Sequence, residues 1–394
     1  MKNYSIPEIS ENVFAVGSRD WDLKLFDALI PTPYGTSYNS YLIKGSEKTA
    51  LIETVKPCFQ DELGDKLKQL LGEGEIDYLV MNHAEPDHAG AIPYIMELSA
   101  HTRLVTSEKG AKMAEVMYKV PSERIVKVKE GDTIELGGKT LKFIDAPWLH
   151  WPETMFTYLI EDKILFPCDF FGSHFAKGVY DTDIKDIITG AQKYYGEIMM
   201  PFRALGKKAM DKLENVEISM IAPSHGPVYK NPEKIISVYK KWTAGETDEK
   251  AIVAYVSMWG STEKMAKAVA EKLMSEGIEV SLYNLTATDA GDVAKDLVDS
   301  RAIVIGSPTV MAGIHPLALY AASLVRAFRP PLKYAAVVGS YGWGGCSVKE
   351  VTKMLELAKV EVVGSHEVNG PPLNGDYAKL EELGKVLACR IRQG

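Results

Sequence analysis

The sequence predicts a two-domain protein, in which a β-rich α+β domain is followed by an α/β domain with a doubly wound parallel sheet. Two observations carry this prediction. The first ~240 residues consist of short β-branched or alternating segments separated by turns and a few helices, which is typical of an α+β fold. Beyond them, apolar strands alternate strictly with helices of roughly 10 to 15 residues, the pattern of parallel βα units.

The length of the chain and one polar stretch place the domain boundary. A chain of 394 residues exceeds what one hydrophobic core usually supports, so two domains are expected. The stretch VYKKWTAGETDEK at 238–250 is polar, contains a glycine and shows no apolar periodicity, as expected for an exposed connector. We therefore predict domains at residues 1–248 and 249–394.

Composition and charge exclude several classes of protein. Hydrophobic residues make up 46% and charged residues 25% of the chain, as in globular proteins, and no apolar run reaches the roughly 18 residues of a membrane span. The net charge of −8 argues against a nucleic-acid partner, because phosphate backbones attract basic surfaces. The segment MKNYSIPEISENVF has no apolar core of a secretory signal, so we expect a cytoplasmic protein. The four cysteines form no CxxC pair, which argues against a disulfide framework or an iron–sulfur cluster.

The first domain contains nine segments with the composition of strands. In order, these segments are NVFAVGS, SYNSYLI, TALIET, IDYLVMN, RLVTS, RIVKV, LKFIDA, KILFP and ISMIAP. Side chains that commonly bind metals follow several of them, and loops at the carboxyl ends of strands are common positions for binding sites.

The turn after IDYLVMN carries the most informative pattern in the sequence. In MNHAEPDHAG, residues 81–90, two imidazoles and two carboxylates fall within six consecutive positions, namely His83, Glu85, Asp87 and His88. Such a turn can direct one histidine–carboxylate pair toward each of two points in space. We therefore expect two adjacent metal ions at this turn.

Further candidate ligands follow apolar strands farther along the chain. His150 follows LKFIDA and the turn PWLH, Asp169 ends ILFPCD, and His225 ends ISMIAPSH. A single histidine at a strand end is more often a hydrogen-bonded loop residue than a ligand, but seven patterned residues together indicate a dinuclear site. Asp169 suits a bridging position, because a carboxylate can bind one metal through each oxygen.

The second domain is predicted from its regular alternation of elements. In order, the segments are strand AIVAYV, helix EKMAKAVAEKLMSEG, strand EVSLYNL, a helix from Asp292, strand AIVIGSP, helix LALYAASLVRAF, strand YAAVVGSY, helix VKEVTKMLELAKV, strand EVVGSHEV and helix YAKLEELGKVLACRI. Five such strands form a doubly wound parallel sheet, for which the flavodoxin-like strand order is the natural one.

Loops at the carboxyl ends of these strands predict a mononucleotide site. SMWGST, residues 257–262, leads from the first strand directly into a helix, and hydroxyls and amides at a helix N-terminus bind phosphate. The loops GSPTVMAG at 306–313 and GSYGWGG at 339–345 would flank a flat ring, with Trp259 and Trp343 as stacking partners. Tight turns explain each loop taken alone. A cofactor-free receiver domain would share the sheet order, but it would need acidic residues where this sequence has Ser-Met-Trp.

The first motif set resembles a known family. HxExDH followed by His150, Asp169 and His225 is similar to the dimetal site of the metallo-β-lactamase fold, an αββα sandwich, in the variant found in flavodiiron proteins. Hydrolases of this fold usually have HxHxDH, and here Glu85 replaces the second histidine. An anionic oxygen ligand in that position favours iron over zinc. A binuclear zinc hydrolase fused to a flavin domain stays the rival, because the same geometry activates water between two metals. An electron carrier with a structural first domain is a third alternative.

The second domain resembles flavodoxin, and this resemblance implies FMN as its cofactor. The residues implied for the phosphate, the ribityl chain and the ring are Ser257, Met258, Trp259, Gly260, Ser261, Thr262, Ser307, Pro308, Thr309, Ala312, Gly313, Ser340, Tyr341, Gly342, Trp343, Gly344 and Gly345.

The resemblance to flavodiiron proteins covers essentially the whole chain. It implies an oxidoreductase that reduces dioxygen to water, nitric oxide to nitrous oxide, or both, at a non-haem diiron site, with FMN relaying electrons. It also implies a head-to-tail homodimer or a tetramer, and an external electron donor such as rubredoxin or a reduced deazaflavin coenzyme. His174 is a candidate proton donor in the substrate pocket, with a loop histidine as the alternative. Tyr195 lies where family members have a second-sphere tyrosine, with a buried structural aromatic as the alternative.

Overall fold

A computed structural model describes residues 3–394 and contains two compact units. One unit comprises the chain up to Tyr195 together with Phe202–Lys240, and the other comprises Gly196–Pro201 together with Lys241–Gly394. Met1 and Lys2, with which the predicted first domain and its N-terminal segment begin, lie outside the described residues. Within residues 3–394, no helix combines the length and the apolar character of a transmembrane helix.

The first unit is rich in short strands. In chain order these are β1 Glu8–Ser10, β2 Val13–Ala15, β3 Ser18–Asp20, β4 Leu25–Phe26, β5 Ile30–Pro31, β6 Thr36–Tyr38, β7 Tyr41–Lys44, β8 Thr49–Ile52, β9 Tyr78–Val80, β10 Arg103–Ser107, β11 Ile125–Val128, β12 Thr133–Glu135, β13 Thr140–Asp145, β14 Met155–Leu159, β15 Ile164–Phe166 and β16 Met220–Ile221. The α-helices up to the second unit are α1 Gln60–Leu71, α2 Pro86–Ala89, α3 Ile92–Leu98, α4 Glu108–Met117, α5 Ile187–Tyr194, α6 Arg203–Leu213 and α7 Glu233–Ala244. Short 3-10 helices cover Pro57–Phe59, Ser122–Arg124, Asp181–Asp183 and Met200–Phe202, and Tyr195–Met199 form a π-helix.

Two sheets of the first unit face each other across one hydrophobic core. Their strand orders are β1-β2-β7-β8-β9-β10-β11 and β12-β13-β14-β15-β16. Val80 and Val105 of the first sheet and Phe143 and Phe166 of the second belong to the same buried cluster. This is the sandwich of an α+β domain that the sequence predicts, with short hairpins β3-β6 and β4-β5 beside it.

Strand direction and one asparagine bring four loops to the same edge of the sandwich. β13 and β15 are both antiparallel to β14, and β16 is parallel to β15, so β13, β15 and β16 end at one edge of their sheet. Asn82, directly after β9, connects the other sheet to this edge. Its Nδ2 donates to the carbonyl oxygen of Phe166 at 3.3 Å, and its Oδ1 accepts the hydroxyl of Thr157 at 2.7 Å.

The second unit is a doubly wound α/β fold. Its elements are β17 Asp248–Tyr255, α8 Ser261–Ser275, β18 Glu279–Asn284, α9 Ala290–Leu297, β19 Ser300–Val310, β20 Gly313–Ile314, α10 Pro316–Phe328, β21 Tyr334–Tyr341, α11 Ser347–Leu357, β22 Glu361–Asn369 and α12 Asn374–Gln393. The parallel strands lie in the order β18-β17-β19-β21-β22, and β20 pairs with β19 in antiparallel fashion. Counted within this unit, the order 2-1-3-4-5 confirms the flavodoxin-like prediction.

The predicted connector at 238–250 is wrong over its first half. Val238 to Ala244 are the last turns of α7, and the buried residues Ile235, Tyr239 and Trp242 follow the spacing of four and three residues that marks one helix face. The polar window began after Ile235 and therefore missed this periodicity. The predicted boundary at residue 248 coincides with the start of β17, whereas the two compact units divide at Lys240 and Lys241.

Candidate functional site

The turn after β9 is shaped by a proline and a glycine. Pro86 is the first residue of α2, and the carbonyl oxygen of Glu85 accepts the backbone N–H groups of His88 and Ala89 at 3.0 and 2.8 Å. A Cβ on Gly90 would collide with the Pro57 ring and with the carbonyl oxygen of Pro86, so the chain needs glycine where it leaves this turn. The tight turn places the side chains of the HxExDH segment in two directions.

One direction leads to a group formed by His83, Glu85, His150 and Asp169, whose ligand atoms all lie within 4.8 Å of one another. Glu85 Oε2 is 3.2 Å from His83 Nε2 and 3.0 Å from His150 Nε2. Asp169 Oδ2 is 3.5 Å from His83 Nε2 and 3.4 Å from His150 Nε2. Two imidazoles and two carboxylates thus converge on one point.

The other direction leads to a group formed by Asp87, His88 and His225. Asp87 Oδ2 is 3.1 Å from His225 Nε2, and Asp87 Oδ1 is 3.4 Å from His88 Nε2. Asp169 also faces this group, because its Oδ1 is 3.0 Å from His88 Nε2 and 3.5 Å from His225 Nε2. One oxygen of Asp169 therefore faces each group, which is the arrangement of a carboxylate that bridges two metal ions. The structure brings together all seven ligands proposed from the sequence.

The hydrogen bonding of these residues fits bound metal ions. Both carboxylate oxygens of Asp87, both ring nitrogens of His88 and Oδ1 of Asp169 are buried and have no hydrogen-bond partner among the described residues. Buried polar atoms without partners are costly, so their concentration at one point indicates cations that would satisfy them. Imidazole and carboxylate ligands suit first-row transition metals such as iron.

The carboxylates of the site raise the pKa values of its imidazoles, so that these are protonated at neutral pH when no metal is bound. Burial lowers the pKa of His83, but hydrogen bonds to Glu153 and Glu85 outweigh it and raise the pKa to about 10. Burial also opposes the charge on His88 and His150, and neighbouring carboxylates, Asp169 among them, raise the pKa of each to about 10. Burial raises the pKa of Glu85, but hydrogen bonds from His150 and His83 reverse this and hold it well below its usual value. The site therefore has the electrostatic character of a cation site.

Surrounding residues hold the imidazoles in place. Glu153 Oε1 lies 2.8 Å from His83 Nδ1 and also accepts the backbone N–H of Ala84 at 2.8 Å. The carbonyl oxygen of Ser37 lies 2.6 Å from His225 Nδ1, and the hydroxyl of Thr54 donates to the carbonyl oxygen of His88 at 2.5 Å. These partners were not identified from the sequence. The one signal that could have found any of them is the acidic side chain of Glu153 close to His150 in the sequence.

His174 lies against the second group. Its Nε2 is buried although the residue as a whole is partly exposed, its Nδ1 is 2.9 Å from the hydroxyl oxygen of Thr36, and its ring centroid lies 5.3 Å from that of His225. Burial and the neighbouring His225 lower the pKa of His174 well below its usual value, so it is neutral at pH 7. The ring of Phe26 packs on the other side, with its centroid 4.6 Å from that of His174.

The tyrosine that reaches the ligands is Tyr194. Its hydroxyl hydrogen-bonds to the carboxylate of Asp169, and its ring centroid lies 4.9 Å from that of His174. The ring of Tyr195, the tyrosine proposed from the sequence, packs against Tyr239 with a centroid distance of 5.3 Å. Both tyrosines are buried.

A cavity of about 250 Å³ opens onto the carboxylates of the metal groups. Glu85 and Asp87 lie on its wall together with apolar side chains of the β4–β5 hairpin, including Leu25 and Phe26. The cavity provides a route for a small molecule to the point where the two groups meet.

The second unit contains a larger cavity of about 820 Å³ at the carboxyl ends of β17, β19 and β21. Of the predicted cofactor residues, those that line it are Ser257, Met258, Trp259, Ser261, Pro308, Thr309, Ala312, Ser340, Tyr341, Gly342, Trp343, Gly344 and Gly345. Gly260, Thr262, Ser307 and Gly313 are not among the lining residues; the Thr262 hydroxyl lies 2.9 Å from that of Ser340. Val310 and Met311, which also line the cavity, belong to the predicted loop 306–313 but were not named as cofactor residues. Cys346, Gly370 and Pro371 lie outside the predicted loops.

This cavity fits a phosphorylated aromatic ring. Gly260 has a φ of +86°, a conformation that favours glycine, and it immediately precedes the N-terminus of α8, where backbone N–H groups attract anions. Trp343 is 100% and Trp259 89% exposed, which is unusual for tryptophan and leaves flat apolar faces for a ring to cover. The fit supports a flavin in this unit.

Comparisons with known proteins agree with both sites. Residues 36–226 match the family described as ODP family beta lactamase, and residues 253–384 match flavodoxin. The sequence is 40% identical to the nitric oxide reductase of Moorella thermoacetica over 97% of this chain and 98% of that protein. The solved structure of rubredoxin oxygen:oxidoreductase from Desulfovibrio gigas superimposes with a TM-score of 0.94, 30% identity and coverage of 99% of both chains. The flavodiiron protein from Giardia intestinalis does so with a TM-score of 0.94, 29% identity and coverage of 100% and 98%.

Proposed function

The chain belongs to the flavodiiron proteins, an oxidoreductase family, and from this premise we propose that it reduces dioxygen to water, nitric oxide to nitrous oxide, or both, at a pair of iron ions in its first unit. A relative of this chain is named a nitric oxide reductase and a structural neighbour a rubredoxin oxygen:oxidoreductase, which supports both substrates. The rival prediction of a zinc hydrolase is not favoured by any of these relatives.

The position of Asp169 is the observation that carries the proposal. Its two oxygens face two separate clusters of imidazoles and carboxylates, so two ions would lie close enough to act on one small molecule. We propose as iron ligands all seven residues that converge there, namely His83, Glu85, Asp87, His88, His150, Asp169 and His225. Bound ferrous ions would supply the electrons that reduce the gas.

The protein's own residues would orient the metal-binding imidazoles and supply a proton to the substrate. Hydrogen bonds at the Nδ1 atoms of His83 and His225 direct their Nε2 atoms toward the ions. We propose that His174, whose buried Nε2 has no hydrogen-bond partner among the described residues, contacts the substrate and passes it a proton. Because its pKa is lowered, the ring is neutral, and Nε2 would lose its proton to the substrate as Nδ1 takes up the hydroxyl proton of Thr36. The role of Tyr195 as a second-sphere residue stays a prediction.

We propose FMN as the flavin of the second unit. The N-terminus of α8 would bind its phosphate, and Trp259 and Trp343 would contact the ring. A mononucleotide is preferred over a dinucleotide because the SMWGST loop lacks the glycine pattern of dinucleotide sites. Bound FMN takes up electrons in pairs or singly and releases them singly.

We propose a head-to-tail homodimer, alone or as half of a tetramer, in which the flavin of one subunit faces the irons of its partner. Exposed apolar side chains support this arrangement on each unit separately. In the first unit, Leu25, which lines the cavity at Glu85 and Asp87, and Leu29 of the same hairpin are 47% and 52% exposed. In the second unit, Trp343 and Met311, which line the flavin cavity, are completely exposed. Exposed apolar patches of this kind usually mark interaction sites.

We propose rubredoxin or a reduced deazaflavin coenzyme as the external electron donor, and the cytoplasm as the location. Electron transfer from such a donor would reach FMN first, because the flavin cavity opens at the surface of the second unit. Purified rubredoxin and reduced deazaflavin, tested separately for rates of FMN reduction in a stopped-flow instrument, would distinguish the two donors.

Metal and flavin analysis with gas consumption tests the proposed function. Protein made in iron-sufficient cells should contain two irons and one FMN per chain, and the reduced protein should consume dioxygen or nitric oxide. Asp169→Asn should abolish consumption, whereas Asp211→Asn, at a surface ion pair with Lys207, should have no effect. Two zinc ions per chain with ester or phosphodiester cleavage and no gas consumption would establish the hydrolase instead.

A further inference from the structure

The flavin cavity has an uncharged wall. None of the described residues that line it carries a carboxylate, ammonium, guanidinium or imidazole group, and its polar groups are hydroxyls, backbone atoms, the indole N–H groups of Trp259 and Trp343 and the thiol of Cys346. Charged groups directly behind this wall therefore contribute to the electrostatic potential at the flavin ring. Glu367 is such a group.

Glu367 lies in β22 opposite Gly339 of β21 and extends toward the third loop of the cavity. Gly345 lines the cavity, and a Cβ on it would collide with the carboxylate of Glu367. The backbone of Gly345 therefore lies between this carboxylate and the cavity. The hydroxyl of Ser347, fully buried at the start of α11, donates to the carbonyl oxygen of Ser307 at 3.0 Å, and its oxygen lies 3.4 Å from Glu367 Oε1. The carboxylate is thus fixed behind the flavin-binding loop.

We propose that Glu367 lowers the reduction potential of the bound flavin. The isoalloxazine ring is neutral when oxidised and negatively charged when fully reduced at neutral pH, so a fixed carboxylate nearby destabilises the reduced form and leaves the oxidised form unaffected. The proposal rests on the proposed flavin site, and it adds a residue that tunes how strongly the flavin drives electrons toward the metal centre.

A structural role is the competing explanation for Glu367. Its carboxylate lies at the N-terminus of α11, where a negative charge stabilises the helix. The two roles differ in what they do to flavin binding. A structural role affects the oxidised and the reduced flavin alike, whereas an electrostatic role affects only the reduced flavin. The ratio of the two dissociation constants therefore separates them.

The test compares the FMN-free protein and its Glu367→Gln variant. Dissociation constants for oxidised FMN and, under anaerobic conditions, for reduced FMN would be measured by flavin fluorescence and absorbance, and the midpoint potential by spectroelectrochemistry. We expect the variant to bind reduced FMN about fivefold more tightly, the effect of a unit charge at roughly 8 Å in a medium of effective permittivity about 40, with unchanged affinity for oxidised FMN. The midpoint potential should rise accordingly. Glu381→Gln, an exposed carboxylate of α12, is the matched control and should change neither value.

The outcomes separate this inference from the proposed function. If the parent protein does not bind FMN at all, the proposed flavin site fails and the inference fails with it. If FMN binds but Glu367→Gln leaves the ratio of dissociation constants unchanged, only the inference is overturned. Glu367→Lys should change the logarithm of the ratio of the two dissociation constants about twice as much as Glu367→Gln. It tests the inference if the glutamine variant does not fold. Equal changes for both forms of FMN would assign Glu367 a structural role.

Discussion

Glu153 Oε1 lies 2.8 Å from His83 Nδ1, and both side chains are completely buried. The same oxygen accepts the backbone N–H of Ala84. Burial raises the pKa of Glu153, but the hydrogen bond to His83 outweighs it and lowers the pKa, so the carboxyl is ionised. An ionised carboxylate can only accept hydrogen bonds, so Nδ1 of His83 carries a proton whether or not Nε2 is also protonated. Nε2 therefore faces Glu85 and Asp169.

Removing this hydrogen bond should weaken iron binding. We expect Glu153→Ala to lower the affinity for ferrous iron about 10- to 100-fold, because the orientation and basicity of the His83 imidazole are lost. Glu153→Gln should have a milder effect, since its amide oxygen can still accept both hydrogen bonds. Competition with a calibrated ferrous chelator measures the affinity. Glu108→Gln, on the surface of α4, is the control, and unchanged iron binding in Glu153→Ala would show that the hydrogen bond does not orient the ligand.

The sequence was sufficient to group the seven proposed ligands, but it did not reveal the residues that hold them in place. Each ligand follows a strand and has a side chain that binds metals, so residue type and position single it out. Glu153 has a carboxylate but does not directly follow a strand, and its importance comes from its contact with His83, 70 positions away along the chain. The last turns of α7 were missed for a related reason, since Tyr239 and Trp242 show their helical spacing only together with Ile235.

The flavin cavity shows the same division. The loops after β17, β19 and β21 follow from the position of phosphate and ring sites in doubly wound sheets. Gly370 and Pro371, which complete the lining after β22, carry no such signal and enter the cavity only because the sheet places β22 beside β21. Glu367 likewise lies near the cavity only because β22 is placed beside β21.

Glu85 should control which metal the site selects. We expect Glu85→His to raise the zinc content and lower the iron content of the purified protein, because an imidazole replaces the harder anionic oxygen. Reductase turnover should fall in proportion to the lost iron. Elemental analysis of protein from cells supplied with both metals measures this selection. Unchanged iron content and turnover would show that ligand hardness does not determine the metal here.

Iron binding should release protons. With pKa values of about 10, the imidazoles of His83, His88 and His150 are protonated at pH 7 in the metal-free protein, and each must lose its proton to bind a metal. We therefore expect about three protons to be released per chain at pH 7, measured by anaerobic ferrous titration in a weakly buffered solution with a pH indicator. Release should decline as the pH approaches 10. A titration without proton release would contradict the assigned charges.

The same groups give the metal-free protein a defined dependence of stability on pH. Their folded-state pKa values lie above the ordinary value of 6.5, so their contribution is fully present below pH 6.5 and is lost as the pH rises through about 10. We expect the free energy of unfolding of the metal-free protein to decrease between pH 7 and 10. Iron-loaded protein should decrease less, because the imidazoles are already deprotonated. Urea denaturation of both forms across this range measures the difference.

Tyr194, rather than its neighbour, should influence the bridging carboxylate. Its hydroxyl donates to Asp169, and a hydrogen bond to a charged group contributes about 1.5–3 kcal/mol. In Tyr194→Phe the carboxylate of Asp169 loses this hydrogen bond and donates electron density more strongly to the bound ions, which stabilises oxidised iron. We therefore expect a lower midpoint potential of the iron pair and roughly tenfold slower turnover. Redox titration followed by electron paramagnetic resonance measures the potential.

Tyr195→Phe is the matched comparison, because it removes the same hydroxyl one position along the chain from a ring that packs against Tyr239. We expect it to leave the potential of the iron pair unchanged, because its ring packs against Tyr239. If Tyr195→Phe slows turnover and Tyr194→Phe does not, the role proposed for Tyr195 from the sequence is correct and the one argued for Tyr194 is wrong. Loss of turnover in both variants, with a shifted potential only in Tyr194→Phe, would give the two hydroxyls separate functions.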